Sequence, residues 1–145
     1  GEFEEKFASR HLNLITSAPD HTLFIEADGR RLWRVLENLY NNAFKYALEG
    51  SRIYVDVAEE DSMAVFTIKN MSSNPLNIKA EELTDLFVRG DVARTTEGSG
   101  LGLSIAKSLT QLQGGTFEIY IDGDLFKVKV AFPVMLAAKQ ENLAE

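Results

Sequence analysis

A glycine-rich turn that leads directly into a helical pattern constrains this chain more than any other feature. Glycine alternates with Ser99 and Leu101, and an apolar helical repeat follows. Such a turn exposes backbone N–H groups with no Cβ atoms in the way, and the helix dipole adds partial positive charge there. It predicts a phosphate site, although the run alone is a weak signal because many turns need glycine. The candidate residues are Gly98, Ser99, Gly100, Leu101, Gly102 and Leu103.

A second candidate element lies on an amphipathic helical pattern over residues 28–47. At the helical repeat, Asn38, Asn42 and Lys45 fall within an arc of roughly 60° at the edge of the apolar stripe. Asparagine is a middling helix former, so its recurrence reflects either an accidental polar face or a ligand site. In the second interpretation, Asn42 offers Mg²⁺ a neutral oxygen ligand, and Lys45 offers a charge to phosphate.

Together these elements resemble the ATP-binding catalytic domain of bacterial sensor histidine kinases, which belongs to an ATPase group shared with type II topoisomerases. Glu37–Tyr46 is similar to the N box of that family, and Gly98–Gly102 is similar to its G2 box. Leu86–Asp91 resembles the F box of the lid that covers the nucleotide. The resemblance extends over residues 12–133, and it is specific because three motifs occur in the family's order.

The resemblance assigns roles to the polar residues. Asn42 would hold Mg²⁺, Asn38 would orient metal-bound water or phosphate, and Lys45 would face the phosphates. Either Arg89 or Arg94 would reach the phosphates from the lid, because a guanidinium binds phosphate oxygens in pairs. Two aromatic residues either cover the ribose and lid side or belong to the core, namely Tyr46 and Phe87.

One motif departs from the family pattern. The family's G1 box, Asp-x-Gly-x-Gly, uses its Asp to accept a hydrogen bond from the adenine amino group, but Asn70 stands at that place here. Ser72 and Asn74 replace the two glycines. An amide oxygen still accepts from adenine, as an uncharged and therefore weaker acceptor. We expect adenine recognition to be weakened but retained; a degenerate site is the alternative.

The expected fold is α+β, a two-layer α/β sandwich with a mixed, mostly antiparallel sheet and helices on one face. Hairpin signals and apolar periodicity predict its elements. Strands are expected at residues 11–17, 22–26, 52–58, 63–70, 116–121 and 126–132, and helices at 28–47, 79–87 and 101–112. The core stripe of the 101–112 helix is predicted to be Leu101, Ile105, Leu109 and Leu112, joined by Leu103 and Ala106.

Residues 1–11 are expected to be a linker or the end of a preceding helical domain, residues 12–133 the ATP-binding domain with its lid at about 75–98, and residues 134–145 a tail. The 145 residues suffice for one core, and a net charge of −7 argues against nucleic acid as a partner. The absence of cysteine fits a reducing compartment. No apolar run is long enough to span a membrane. The family resemblance implies the cytoplasmic portion of a membrane-bound sensor, with no direct membrane contact by this domain, and a monomer when the fragment is isolated.

The phospho-acceptor is expected to lie outside this chain. Neither His11 nor His21 is followed by the acidic residue that the family's acceptor pattern requires. The resemblance implies an upstream dimerisation and phospho-acceptor domain and a response regulator as partners, with ATP and Mg²⁺ as cofactors. The alternatives are a stand-alone anti-sigma-factor-type serine kinase of the same fold and a pseudokinase docking module that binds nucleotide weakly.

Overall fold

A computed structural model of the chain describes residue 5, residues 8–73 and residues 102–135. Within them, five strands and two helices follow in the order β1 (Asn13–Ser17), α1 (Gly29–Tyr46), β2 (Arg52–Glu60), β3 (Met63–Met71), α2 (Gly102–Leu112), β4 (Thr116–Asp122) and β5 (Leu125–Pro133). The expected 79–87 helix, the lid and the tail from residue 136 lie outside the described residues. No helix of the described part is long and apolar enough to cross a membrane.

The five strands form one mixed sheet in the order β1-β2-β3-β5-β4. β1 pairs with β2 in parallel, and the other neighbours are antiparallel. The parallel pair needs a long crossover connection, which α1 provides, whereas tight turns join β2 to β3 and β4 to β5. The β2–β3 turn has positive φ at Asp61 and Ser62, 51° and 64°, which suits the right-handed twist of a hairpin.

The core lies between the sheet and the two helices, which pack against each other on one face. Val35, Leu39 and Ala43 form the buried stripe of α1, and Ile53 and Val128 meet the helices from the sheet. The observed architecture confirms the predicted α+β two-layer fold.

The boundaries of α1 follow from its caps. The Asp28 carboxylate accepts hydrogen bonds from the backbone N–H groups of Arg30 and Arg31, at 2.9 and 3.2 Å. It therefore satisfies two of the donors that the first turn leaves without intrahelical partners. At the other end, the Ala47 N–H donates to the Ala43 carbonyl and the chain then becomes extended.

Three predictions of local structure were wrong. The strand predicted at 22–26 reduces to one bridge, between Ile25 and Val134. The strand predicted from residue 11 begins at Asn13, because His11 has a φ of 58° and lies in a turn. On α2, Leu112 is 66% exposed whereas Thr110 is fully buried. The observed buried side of α2 consists of Leu103, Ser104, Ala106 and Thr110.

Thr110 tolerates burial because its hydroxyl donates to the Ala106 carbonyl at 2.7 Å. Leu103 and Ala106 are buried and Leu109 packs against the core, as predicted. Counting apolar residues alone wrongly included Leu112 and missed Thr110, since a threonine that satisfies its hydroxyl within its own helix packs like an apolar residue.

Candidate functional site

The polar residues of the N-box pattern lie on α1, beside its buried stripe. Asn38, Asn42 and Lys45 are all partly buried, which agrees with the predicted position at the edge of the apolar face. Leu39 and Ala43 anchor the same turns in the core at 1% and 2% exposure. The helix is therefore held rigidly while its polar edge faces the space beside the core.

Asn38 lies next to the beginning of α2. Its Nδ2 atom is buried and has no hydrogen-bond partner in the described structure. A Cβ atom placed on Gly102 would lie 3.7 Å from Asn38 Oδ1. The first turn of a helix has N–H groups without intrahelical partners, and these favour anions. Asn38 therefore joins the candidate metal-binding edge of α1 to the candidate phosphate-binding end of α2.

Asn70 is the second buried amide without a partner. It lies on β3 between Ile53 of β2 and Phe126 of β5 and is 3% exposed, and its Nδ2 atom has no hydrogen-bond partner in residues 8–73 and 102–135. Strand alternation places it on the same face of the sheet as the buried Ile68, which is the face covered by the helices. A buried donor left unpaired costs on the order of 1–3 kcal/mol, so such an amide is a site at which a polar ligand would be stabilised.

Backbone contacts bring the end of β3 to the end of α1. The Leu48 N–H donates to the Met71 carbonyl at 2.8 Å, and the Ser73 N–H donates to the Tyr46 carbonyl at 2.9 Å. Ala47 and Ser72 also form an isolated antiparallel bridge. The segment that follows Asn70 is thus fixed beside the last turn of the helix that carries Asn42 and Lys45.

Lys45 and Tyr46 are the last two residues of α1. The Lys45 ammonium lies 5.5 Å from the centre of the Tyr46 ring, within the range of a cation–π contact, and both residues are partly buried. Tyr40 packs edge-on against Phe66, with ring centres 6.3 Å apart, and burial raises its pKa above the ordinary value for tyrosine. Tyr40 therefore remains a neutral phenol, and the charge on this part of α1 is carried by Lys45.

The candidates that the structure describes are Asn38, Asn42, Lys45, Tyr46, Asn70, Gly102 and Leu103. Its contacts place Asn38 beside Gly102, and the segment that follows Asn70 beside the end of α1. Leu103 is 2% exposed and anchors the first turn of α2 in the core, so only its backbone is available to a phosphate. The remaining candidates lie outside the described residues, namely Phe87, Arg89, Arg94, Gly98, Ser99, Gly100 and Leu101.

Sequence reasoning missed Arg10, which supports the site. Its guanidinium donates to the carbonyl oxygens of Phe44 and Ala47, the latter at 2.9 Å, and lies 5.4 Å over the Phe44 ring. It is a positioning residue, because it fixes the last turn of α1. No local sequence pattern predicts a contact between residues more than thirty positions apart.

The donor set fits a magnesium nucleotide. Within the described part of the chain, the buried Nδ2 atoms of Asn38 and Asn70 lack hydrogen-bond partners. A third amide, at Asn42, supplies a neutral oxygen of the kind that Mg²⁺ accepts, and Lys45 follows on the same helix. Mg²⁺ takes few protein ligands beside phosphate oxygens, so one asparagine oxygen satisfies it without adding negative charge.

Residues 27–134 match the family described as histidine kinase-, DNA gyrase B- and HSP90-like ATPase. The chain therefore belongs to this ATP-binding family, which agrees with the order of its motifs. It is 36% identical to the sensor histidine kinase WalK of Bacillus subtilis (strain 168) over 122 residues, covering 81% of this chain and 20% of WalK. It is 30% identical to the signal transduction histidine-protein kinase BaeS of Escherichia coli (strain K12) over 117 residues, covering 79% of this chain and 25% of BaeS.

Solved structures share the fold. The nucleotide-free catalytic domain of histidine kinase ThkA superposes with a TM-score of 0.76 at 24% identity, covering 91% of this chain and 85% of that one. Full-length ShkA in complex with AMPPNP superposes with a TM-score of 0.75 at 20% identity, covering 94% of this chain and 28% of that one. At these identities the likeness establishes the fold.

Proposed function

We propose that this chain is the catalytic and ATP-binding domain of a sensor histidine kinase. It would deliver the γ-phosphoryl group of ATP to a histidine in a dimerisation domain outside this chain, as part of two-component signalling with a response regulator. The carrying observation is that the buried Nδ2 atoms of Asn38 and Asn70 have no hydrogen-bond partner among the described residues. The chain's membership of the ATPase family and its similarity to sensor kinases support this proposal over a serine kinase of the same fold.

Each polar group has a task in phosphoryl transfer, which depends on positioning and charge neutralisation. Asn42 would hold Mg²⁺, which when bound neutralises charge on the phosphates, and Asn38 would orient metal-bound water or a phosphate oxygen. Lys45 would add a point charge, and the backbone from Gly98 to Leu103 would bind the phosphates. Asn70 would bind the purine, and either Arg89 or Arg94 would reach the phosphates from the lid. Tyr46 and Phe87 would cover the ribose side.

The domain boundaries are part of the same proposal. Residues 12–133 would form the ATP-binding domain, residues 1–11 a connection to the preceding helical domain, and residues 134–145 a tail. The domain would work on the cytoplasmic side of a membrane-bound sensor, with the phospho-acceptor domain as its direct partner.

Thermal unfolding with Mg²⁺-ADP tests nucleotide binding directly. A ligand at 100 times its dissociation constant stabilises the folded state by about 2.7 kcal/mol, so the midpoint should rise by several degrees. The rise should shrink when a chelator removes Mg²⁺. Asn42→Ala should remove the Mg²⁺-dependent part of the rise, whereas Asn13→Ala, at an exposed position on β1, should keep it. No rise at millimolar nucleotide would overturn the proposal and favour the docking-module interpretation.

A second measurement tests the kinase step. With labelled ATP, the chain alone should gain almost no label, because neither of its histidines lies in an acceptor pattern. Addition of the separately produced acceptor domain of the same protein should give acid-labile label on that domain. Label on a serine of a partner protein would instead identify the serine kinase alternative.

A further inference from the structure

In the function proposed above, on which this inference rests, the buried side-chain amide of Asn70 contacts the nucleotide base. The side chain is 3% exposed, and its Nδ2 atom has no hydrogen-bond partner among the residues that the structure describes. Its strand neighbours across both ladders, Ile53 and Phe126, are buried apolar residues, so neither side chain can accept from it. A nucleotide base bound here would meet an unpaired donor as well as the amide oxygen.

An amide and a carboxylate present different patterns to a purine. An ionised carboxylate only accepts hydrogen bonds, whereas an amide has an accepting oxygen and a donating NH₂ group. Adenine offers an N6 amino donor next to the acceptor N1. A 6-oxopurine, as in guanine and hypoxanthine, offers the acceptor O6 next to the donor N1–H. The amide can pair with both edges, because turning about its last torsion exchanges the donor and the acceptor.

We propose that Asn70 makes this site accept 6-oxopurine nucleotides, those of inosine and guanosine, in addition to adenine nucleotides. The unpartnered Nδ2 donates to O6, and Oδ1 accepts from N1–H. An aspartate at the same position would face O6 of hypoxanthine with a second acceptor and would therefore bind inosine nucleotides more weakly. The identity of one side chain on β3 thereby sets the range of phosphate donors.

The alternative is that an ordered water satisfies Nδ2 permanently. Buried waters commonly pair with such groups. In that case the base would meet the water rather than the amide donor, and exchanging Asn70 for aspartate would leave the ratio of inosine to adenine affinity unchanged. The two possibilities therefore differ in a measurable quantity.

The experiment is a set of calorimetric titrations of the whole chain with the Mg²⁺ complexes of ADP, IDP and GDP. IDP carries O6 and N1–H without the 2-amino group of GDP, so it tests the amide pairing without that group's bulk. We expect ADP and IDP to differ by less than about tenfold for the unaltered protein, the scale of one net hydrogen bond. GDP should follow IDP.

Asn70→Asp should weaken IDP by about 100-fold, the scale of an unpaired polar group in a buried site, and should leave ADP at least as tight. IDP is the diagnostic ligand for this variant, because the N1–H and 2-amino groups of GDP can both donate to a carboxylate. Asn13→Asp adds the same charge on exposed β1 and should change nothing. If Asn70→Asp does not fold, Asn70→Ala provides the second test. It should weaken ADP and IDP together, and a loss for ADP alone would overturn the proposal.

The titrations distinguish a failure of the proposed function from a failure of the inference about Asn70. If no nucleotide binds, the proposed function itself is wrong. If ADP binds but IDP is more than about tenfold weaker, nucleotide binding stands and the inference about Asn70 is wrong. If both bind and Asn70→Asp does not change the ratio of IDP affinity to ADP affinity, another group selects the base and the inference is again wrong.

Discussion

Gly115 marks a position where the backbone leaves no room for a side chain. A Cβ atom there would lie 2.8 Å from the carbonyl oxygen of Ala131 and 2.8 Å from a ring carbon of Phe132. The Gly115 N–H also donates to the Thr110 carbonyl at 3.0 Å, at the end of α2. The close approach lets the chain leave α2 and enter β4 directly beside β5.

We predict that Gly115→Ala lowers the free energy of unfolding by about 1–3 kcal/mol, because a backbone oxygen cannot move aside as a flexible side chain can. Gly29→Ala is the matched control, since a Cβ atom there would have no neighbour within 4 Å and alanine favours the helix. Urea unfolding of both variants measures the difference. Equal stability of the two variants would show that the chain around Gly115 relaxes freely.

Site residues differ in how far they could be predicted from the sequence. Asn38 and Asn42 were identified because helical spacing fixes their direction relative to the buried stripe, and both are partly buried as expected. The absence of partners for Asn38 and Asn70 could not be predicted, because it depends on every neighbour that the fold supplies. The proposal that Asn70 sets which nucleotide base is bound therefore depends on the structure.

At the scale of elements, the last turn of α1 depends on Arg10, which lies just before β1. Arg10 donates to the carbonyls of Phe44, Lys45 and Ala47, the last two at 3.5 and 2.9 Å. Its own carbonyl accepts from the Gly50 N–H at 3.3 Å. A cation at a helix C-terminus satisfies carbonyls without intrahelical partners and interacts favourably with the dipole.

We predict that Arg10→Ala costs about 1–3 kcal/mol in the free energy of unfolding, because several partly buried carbonyls lose a charged donor together. Arg52→Ala, at an exposed position at the start of β2, should stay within about 0.5 kcal/mol of the unaltered protein. Arg10→Lys should lie between them, since an ammonium keeps the charge but not the planar fork. Urea unfolding measures all three. A result for Arg10→Ala that matches Arg52→Ala would remove Arg10 from this role.

Elements with strong local signals were predicted well, and those that depend on distant partners were not. The Asp28 cap and the apolar period fixed α1 to within a residue at each end, and turn residues fixed the two hairpins. Residues 22–26 have strand-like composition, but only Ile25 has a ladder partner. The parallel pairing of β1 with β2 leaves no pattern in either strand, because direction is set by the crossover.

At the scale of the whole molecule, the His21 side chain connects the segment before α1 to the β2–β3 hairpin, because it contacts Glu59 at the end of β2. Its Nδ1 atom lies 3.1 Å from Asp20 Oδ1, and its Nε2 atom lies 3.5 Å from Glu59 Oε1. The hydrogen bond to Asp20 first, and then the one to Glu59, raises the pKa of His21 above its usual value. In a chain of net charge −7, a protonated histidine between two carboxylates is favoured, and the fold supplies that arrangement.

We predict that His21 makes the stability of the domain fall as the pH rises from about 6.5 through its raised folded-state pKa. In the folded state it binds its proton more tightly than in the unfolded state, where its pKa is about 6.5. Its contribution is therefore complete below about pH 6.5 and is lost as the pH passes the raised folded-state pKa. Because all three side chains are solvent-exposed, salt should reduce the effect.

An NMR titration of the His21 ring measures the folded-state pKa directly. Glu59→Gln should lower that pKa toward the unfolded value, since it removes one of the two carboxylates. Glu118→Gln, at an exposed position on the opposite edge strand β4, should leave it unchanged. A pKa of His21 at or below about 6.5 in the unaltered protein would mean that the loop and the hairpin are not held together in solution, because Asp20 and Glu59 are the groups of the described structure that favour its proton.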